Sequence, residues 1–346
     1  MRNITLKLDP WATSSLLQKA IRRGEIELAQ WAAAGFYQYR GQGIWRRLLN
    51  IAFEDIGIAD PELLLELASV ATDKQLRSIL GADLDLIGDF TRRMAEAPKD
   101  RSTDYLICAT IKLDEGRAQQ IDLSHKPIDE LITIAADTEQ PLIRRSAAAL
   151  LTCTTNDRIE LGEPLRELFA TLAGLYPSPL YEAVEKAAQR GLGAYVLMAP
   201  ILWSAYRSKG GAGHPVAQAV PVPEWVCGTP LYTFDKHTAA GKKAISRFAQ
   251  ECGEVRTVLI EHVPTAARSR VAWMSAFYAD AVPISLRFEW SQSRELEKLG
   301  FEADMYGAGC RLDGITPVLA AVLSNLRELN ACRREVVLGQ SGALVK

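Results

Sequence analysis

Histidine is scarce and cysteine is never closely paired in this 346-residue sequence, and both shortages narrow its chemistry. The four histidines (His125, His214, His237 and His262) lie far apart. No H-E-x-x-H or H-x-E…C-x-x-C pattern occurs, which argues against a zinc enzyme. The six cysteines (Cys108, Cys153, Cys227, Cys252, Cys310 and Cys332) form no C-x-x-C pair, so neither a zinc ribbon nor a thioredoxin-type site is supported. Scattered thiols of this kind are expected to be reduced in apolar surroundings, which predicts a cytoplasmic protein. No apolar run reaches the roughly 20 residues of a membrane span. The first residues, MRNITLKLDPW, lack the apolar stretch of a signal peptide. A P-loop is missing as well. In the nearest string, Lys236-His237-Thr238-Ala239-Ala240-Gly241-Lys242-Lys243, a lysine replaces the first glycine and another replaces the terminal hydroxyl residue. Gly210-Gly211-Ala212-Gly213 follows no strand, as a dinucleotide loop would, and no G-x-S-x-G elbow exists. No cofactor, metal or catalytic residue is therefore expected from motifs.

What is present is helical patterning in an ordinary globular composition, 48% hydrophobic and 24% charged, with a net charge of −2. The basic residues lean toward the start: residues 1–50 carry eight Lys/Arg against three Asp/Glu. Leu16, Leu17, Ala20, Ile21, Leu28 and Trp31 recur at helical steps, with Ser14 or Ser15 as the expected cap. Ile44, Trp45, Leu48, Leu49 and Ala52 define a second helix, and Pro61 opens a third after Asp60. Further helices are expected around 76–94 with a break near Gly81, and at 103–113, 128–136, 141–153, 163–175, 180–190, 195–206, 236–251, 268–279 and 315–329. Val255 to Val263 reads as a strand, and Ser285 to Trp290 as a short one. The Gly- and Pro-rich stretch 208–230 reads as a loop or linker. The expected fold is mainly α. A helical, collar-like N-terminal region covers 1–115 and a helical continuation covers 116–207. After the linker, residues 231–346 form an α region that could hold a few strands.

Two strings carry more than periodicity. The first is Phe53-Glu54-Asp55-Ile56-Gly57-Ile58-Ala59-Asp60-Pro61, with the helix before it. The second is Ala95-Glu96-Ala97-Pro98-Lys99-Asp100-Arg101-Ser102, followed by Tyr105. Both resemble, in order and spacing, the C-terminal helical region of the RarA/MgsA family of clamp-loader-like AAA+ ATPases. The resemblance covers about residues 12–115, and Asp100 stands where the family favours a small residue. In that family the region comes after the ATPase core and builds the oligomer. The resemblance therefore implies a non-catalytic association module, forming a dimer or tetramer. It also implies docking to DNA, to a replication or repair partner, or to a separate ATPase acting in trans.

Composition supplies the candidate surface residues. Trp31, Phe36, Tyr37 and Trp45, interleaved with arginines, have the makeup of an oligomer interface, and equally of a single-strand stacking platform. Arg46 and Arg47 lack the helix-end explanation available to Arg22 and Arg23. Lys236, Lys242, Lys243 and Arg247 fall within twelve residues with no acid among them. On a helix, Lys236, Lys243 and Arg247 would share a face suited to phosphates or an acidic partner. Glu54 and Asp55 read as structural: Asp55 sits at a helix end and is expected to bond backbone amides or to pair with Arg46 or Arg47. The alternative reading is an enzyme of unassigned reaction with its site in residues 180–340, drawing on His237, Lys242, His262 and Arg270.

Overall fold

Asp9, not a serine, starts the first helix of the computed structural model, which describes residues 7–155, 158–159 and 162–341. Its carboxylate accepts from the Trp11 and Ala12 amides at 2.8 Å, and Pro10 occupies the first helical position. Ser14 and Ser15, the expected caps, are thereby placed inside the Pro10–Arg23 helix. The fold is mainly α. Among the described residues there are nineteen α-helices and three two-stranded antiparallel sheets. No helix among them is long and apolar enough to cross a membrane.

The chain divides into two compact units, each built from separated segments. One comprises Met1–Gly41, Gln218–Ser285 and Asp304–Lys346, and the other Gln42–Ala217 and Leu286–Ala303. The expected 1–115 region thus contributes its first two helices to one unit and the rest to the other.

In the first unit, Pro10–Arg23 packs along Ile26–Arg40 and touches the short turn Leu231–Thr233. Ala239–Glu251 packs on Leu326–Ser341 and Arg268–Asp280, and Ile315–Ser324 covers the latter together with Gly253–His262. Leu16, Leu17, Ile21, Ile245 and Val271 are fully buried in its core. Three expectations change here. Val255 to Val263 is the Gly253–His262 helix and not a strand, because its buried residues Val255 and Leu259 are spaced for a helix face. Residues 315–329 form two helices, Ile315–Ser324 and Leu326–Ser341. The expected linker 208–230 holds ordered strands: Gly213–Ala217 in the second unit, and a hairpin of Trp225–Val226 with Thr229–Pro230 in the first. Cys227 (φ 46°) and Gly228 (φ 76°) form the hairpin's two-residue turn, whose positive φ values match strand twist.

In the second unit, Leu142–Leu151 is the central helix. It packs on Ser102–Lys112, Asp114–Leu123, Ile128–Ala136 and Met198–Ser208. Pro61–Thr72 lies against Leu180–Ala188. Leu286–Trp290, the expected short strand, pairs with Gly213–Ala217, and Lys99 adds a bridge beside Arg287.

Candidate functional site

The two strings that carry the resemblance interlock in the second unit. The Gly43–Ile51 helix widens into a π turn over Ala52–Ile56, then tightens into Gly57–Ala59 before Asp60 caps the next helix. Gly57 has φ 51°, and a Cβ there would stand 2.8 Å from the Asp100 carbonyl oxygen. Only glycine permits both the backbone conformation and the approach. Thr103 donates its hydroxyl to the Phe53 carbonyl. The Arg101 guanidinium sits 3.0 Å from the fully buried Asp55 carboxylate, and also pairs with Asp104 at 2.5 Å. This ion pair of Asp55 joins the first string to the second, a partner the sequence reading of backbone amides, Arg46 or Arg47 did not include. Lys99, also fully buried, donates to the Ala95 and Ala97 carbonyls. Burial lowers its ammonium to about 8, against a weak pull from Asp55. Asp100 is pushed up to about 6 by burial, opposed by bonds from Ser102 and by the Arg287 charge. These charges hold backbone and one another, which suits a structural brace rather than acid–base work.

The first unit has its own buried ionic cluster. Ser15 donates to the Thr233 carbonyl at 2.8 Å, and Lys19 bonds Ser15 while pairing with Asp235 at 2.9 Å. Burial lowers Lys19 to about 8, although Asp235 pulls the other way. Asp235 feels the same burial, but the Lys19 charge and a bond to His237 outweigh it and hold the carboxylate well below its ordinary range. His237 Nδ1 lies 2.8 Å from Asp235, its ring edge-on to Phe277 at 5.3 Å between centroids, and burial lowers its pKa despite Asp235. A histidine oriented by a buried aspartate has the form of a general base. The Ser15 hydroxyl in this cluster is buried and already engaged with the Thr233 carbonyl.

The other residues proposed for an enzyme do not converge on it. Lys242 lies over the Trp273 ring, His262 faces Arg311 and Asp313, and Arg270 donates to the Ala308 carbonyl. None of His237, Lys242, His262 and Arg270 bonds another.

The expected interface aromatics separate. Trp45 is fully buried in the second unit, edge-on to Phe90 and beneath the Arg77 guanidinium, so it belongs to a core and not to a surface. Phe36 and Tyr37 are half-buried. Trp31 is 49% exposed, and so is Trp225 of the hairpin. The two line one open groove of about 690 Å³ with Leu28, Gly228 and the acidic Glu25 and Glu27. Trp225 escaped the sequence reading because it lies in a Gly/Pro-rich stretch. The signal that could have found it is Trp-Val-Cys-Gly-Thr, a strand–turn–strand pattern.

The basic residues separate too. Lys236 precedes the Ala239–Glu251 helix and lies 4.2 Å over the Phe277 ring, so it shares no helix face with Lys243 and Arg247. Arg247 is held by Glu251 at 2.8 Å and Glu335 at 2.6 Å, which neutralises it. Lys242 and Lys243 are exposed and meet no carboxylate among the described residues. Arg46 is exposed and donates to the Gly191 carbonyl, and Arg47 is half-buried. Comparison of the chain with protein-family models, with curated proteins and with solved structures finds no match.

Proposed function

We propose that this chain is a non-catalytic helical association protein that pairs with a second copy through the Trp31–Trp225 groove. The observation that carries the reading is the pair of half-exposed tryptophans on one apolar face. Covering what remains exposed of two such rings is worth roughly 5 kcal/mol before the cost of association. Symmetric pairing is the commonest way to cover a face of this kind. The likeness of residues 12–115 to the RarA/MgsA assembly region supports the same reading, and with it a cytoplasmic protein that forms a dimer or tetramer. Charge gives weaker support for a further partner. Lys242 and Lys243 remain available to DNA or to an acidic protein of replication or repair, including an ATPase acting in trans.

Light scattering coupled to size exclusion tests the first part. The expected result is a mass above that of a monomer at micromolar concentration, reduced by Trp31→Ala or Trp225→Ala with unchanged circular dichroism. A clean wild-type monomer overturns it. For the second part, a mobility shift at low salt should vanish in the Lys242→Gln/Lys243→Gln variant, and no wild-type shift removes the DNA reading.

A further inference from the structure

A buried arginine with no counter-ion among the described residues lines a pocket in the second unit. Arg145, on the Leu142–Leu151 helix, is 1% exposed. Its Nε donates to the Ala135 carbonyl at 3.0 Å, closing the end of Ile128–Ala136, and its Nη2 donates to Ser204 Oγ at 2.5 Å. No carboxylate among the described residues comes within ion-pair distance of it, and Nη1 donates to none of them. Asp137 acts on it only from further away, with its own oxygens taken by the Glu139 amide and the Gln140 side chain. A guanidinium taken out of water at such a site is costly unless an anion meets it.

The space beside it is suited to one. Arg145 lines a pocket of about 290 Å³ together with Thr138, Gln140, Ser208, Lys209 and Gln292. That is room for about ten water-sized groups. Lys209 is exposed and brings a second cation, while the exposed Glu139 is the pocket's single acid. Gln292 Oε1 is buried with no hydrogen-bond partner. It asks for a donor from whatever fills the pocket, in a fold where buried polar atoms are otherwise expected to be satisfied. An adjoining slot of about 250 Å³ shares Pro141, Leu142 and Gln292 and is lined by Leu296 and Leu299 together with the exposed Glu115 and Glu295, and its leucine side gives room for a short apolar extension.

We infer that this pocket binds a small oxyanion, a carboxylate or a phosphate, whose oxygens take Arg145 Nη1 and Lys209 and whose hydroxyl or N–H donates to Gln292. Arginine's planar donors match both oxyanions, and bonds to an ionised acceptor are the strong ones. The two sources differ beyond the head group: a carboxylate of this fit carries a short alkyl tail into the Leu296–Leu299 slot, whereas phosphate needs none.

Titration calorimetry with inorganic phosphate and with 2-hydroxyhexanoate, at matched ionic strength in chloride, tests the site on the full chain. The expected result is saturable binding of at least one of them at concentrations on the order of ten millimolar or below. The stronger of the two identifies the head group. Lys209→Ala and Gln292→Leu leave the helix cap untouched, and each should weaken binding about tenfold without moving the ligand-free melting temperature. Arg145→Met should abolish binding and leave the ligand-free protein folded, since an unneutralised buried cation is removed. No saturable wild-type binding of either ion overturns the proposal, as does unchanged affinity in both Lys209→Ala and Gln292→Leu.

Discussion

Asp100 illustrates how far a single buried group can set the response of this molecule to pH. Its carboxyl is raised from 3.8 to about 6, mainly by burial, so the folded chain holds a proton there that the unfolded chain has already released. Stability from this group is complete below about pH 4 and is lost as pH rises through about 6, a contribution on the order of 2–3 kcal/mol. Asp100→Asn keeps an oxygen for the Ser102 amide and removes the titration. Urea midpoints measured from pH 4 to 7 should therefore fall less steeply in the variant than in the wild type, and identical slopes would refute the assignment. Residues also mark where sequence reading stops. Arg144 and Arg145 are neighbours of one type, about 100° apart on a helix. Arg144 reaches Asp122 at the surface, while Arg145 is buried against backbone. Nothing in the pair of letters says which is which, because the difference lies in what Ile128–Ala136 and Met198–Ser208 bring to one side.

At the scale of elements, Ile128–Ala136 and Glu163–Leu175 were legible to the residue. Their apolar faces repeat at helical steps, and Pro164 marks the start of the second. Gly253–His262 was misread because Val255, Thr257, Val258 and Ile260 are β-branched, while the four-residue spacing of the buried pair Val255 and Leu259 decides its conformation. The stretch read as one helix from Leu16 to Trp31 is two, Pro10–Arg23 and Ile26–Arg40, broken at the left-handed Gly24, and its cap is Asp9 rather than a serine, which only the position of Pro10 signals. The likeness of the two short strings to a known family implied an assembly region. What it could not supply was their mutual contact, because Asp55 and Arg101 are joined by packing and not by spacing. That contact gives a test. Gly57→Ala places a methyl group against the Asp100 carbonyl in a left-handed conformation, and should cost on the order of 2–3 kcal/mol. Gly81→Ala has an unfavourable φ but open space, and should cost less by chemical denaturation. Equal losses would mean that the close approach of the two strings contributes nothing.

At the scale of the whole molecule, the division into discontinuous units was beyond the reach of the sequence. Composition marks 208–230 as a break, but the chain crosses between units at Gln42, Gln218, Leu286 and Asp304, none of them in a stretch of distinctive composition except the second. The division has a measurable counterpart in amide exchange. Asp235→Asn leaves Lys19 buried beside a weakened partner and should destabilise its unit by about 3–5 kcal/mol. Protection should fall together in 10–41, 218–285 and 304–341, three stretches remote in sequence, while 42–153 keeps its own. A loss confined to the neighbourhood of residue 235 would refute the unit.

Synthesis on the ribosome runs against this arrangement. Lys19 and Asp235 are more than two hundred residues apart, so the first helix emerges roughly 10 to 40 seconds before its counter-ion exists. Arg22 and Arg23, which end up against the carbonyls of Ala281 and Asp280, wait longer still. During that interval the three cations are expected to face water beside the apolar stripe of Leu16, Leu17, Ala20 and Ile21, where gatekeeper charges oppose sticking. The charges that look costly in the finished fold are thus the ones that keep the waiting helix hydrated.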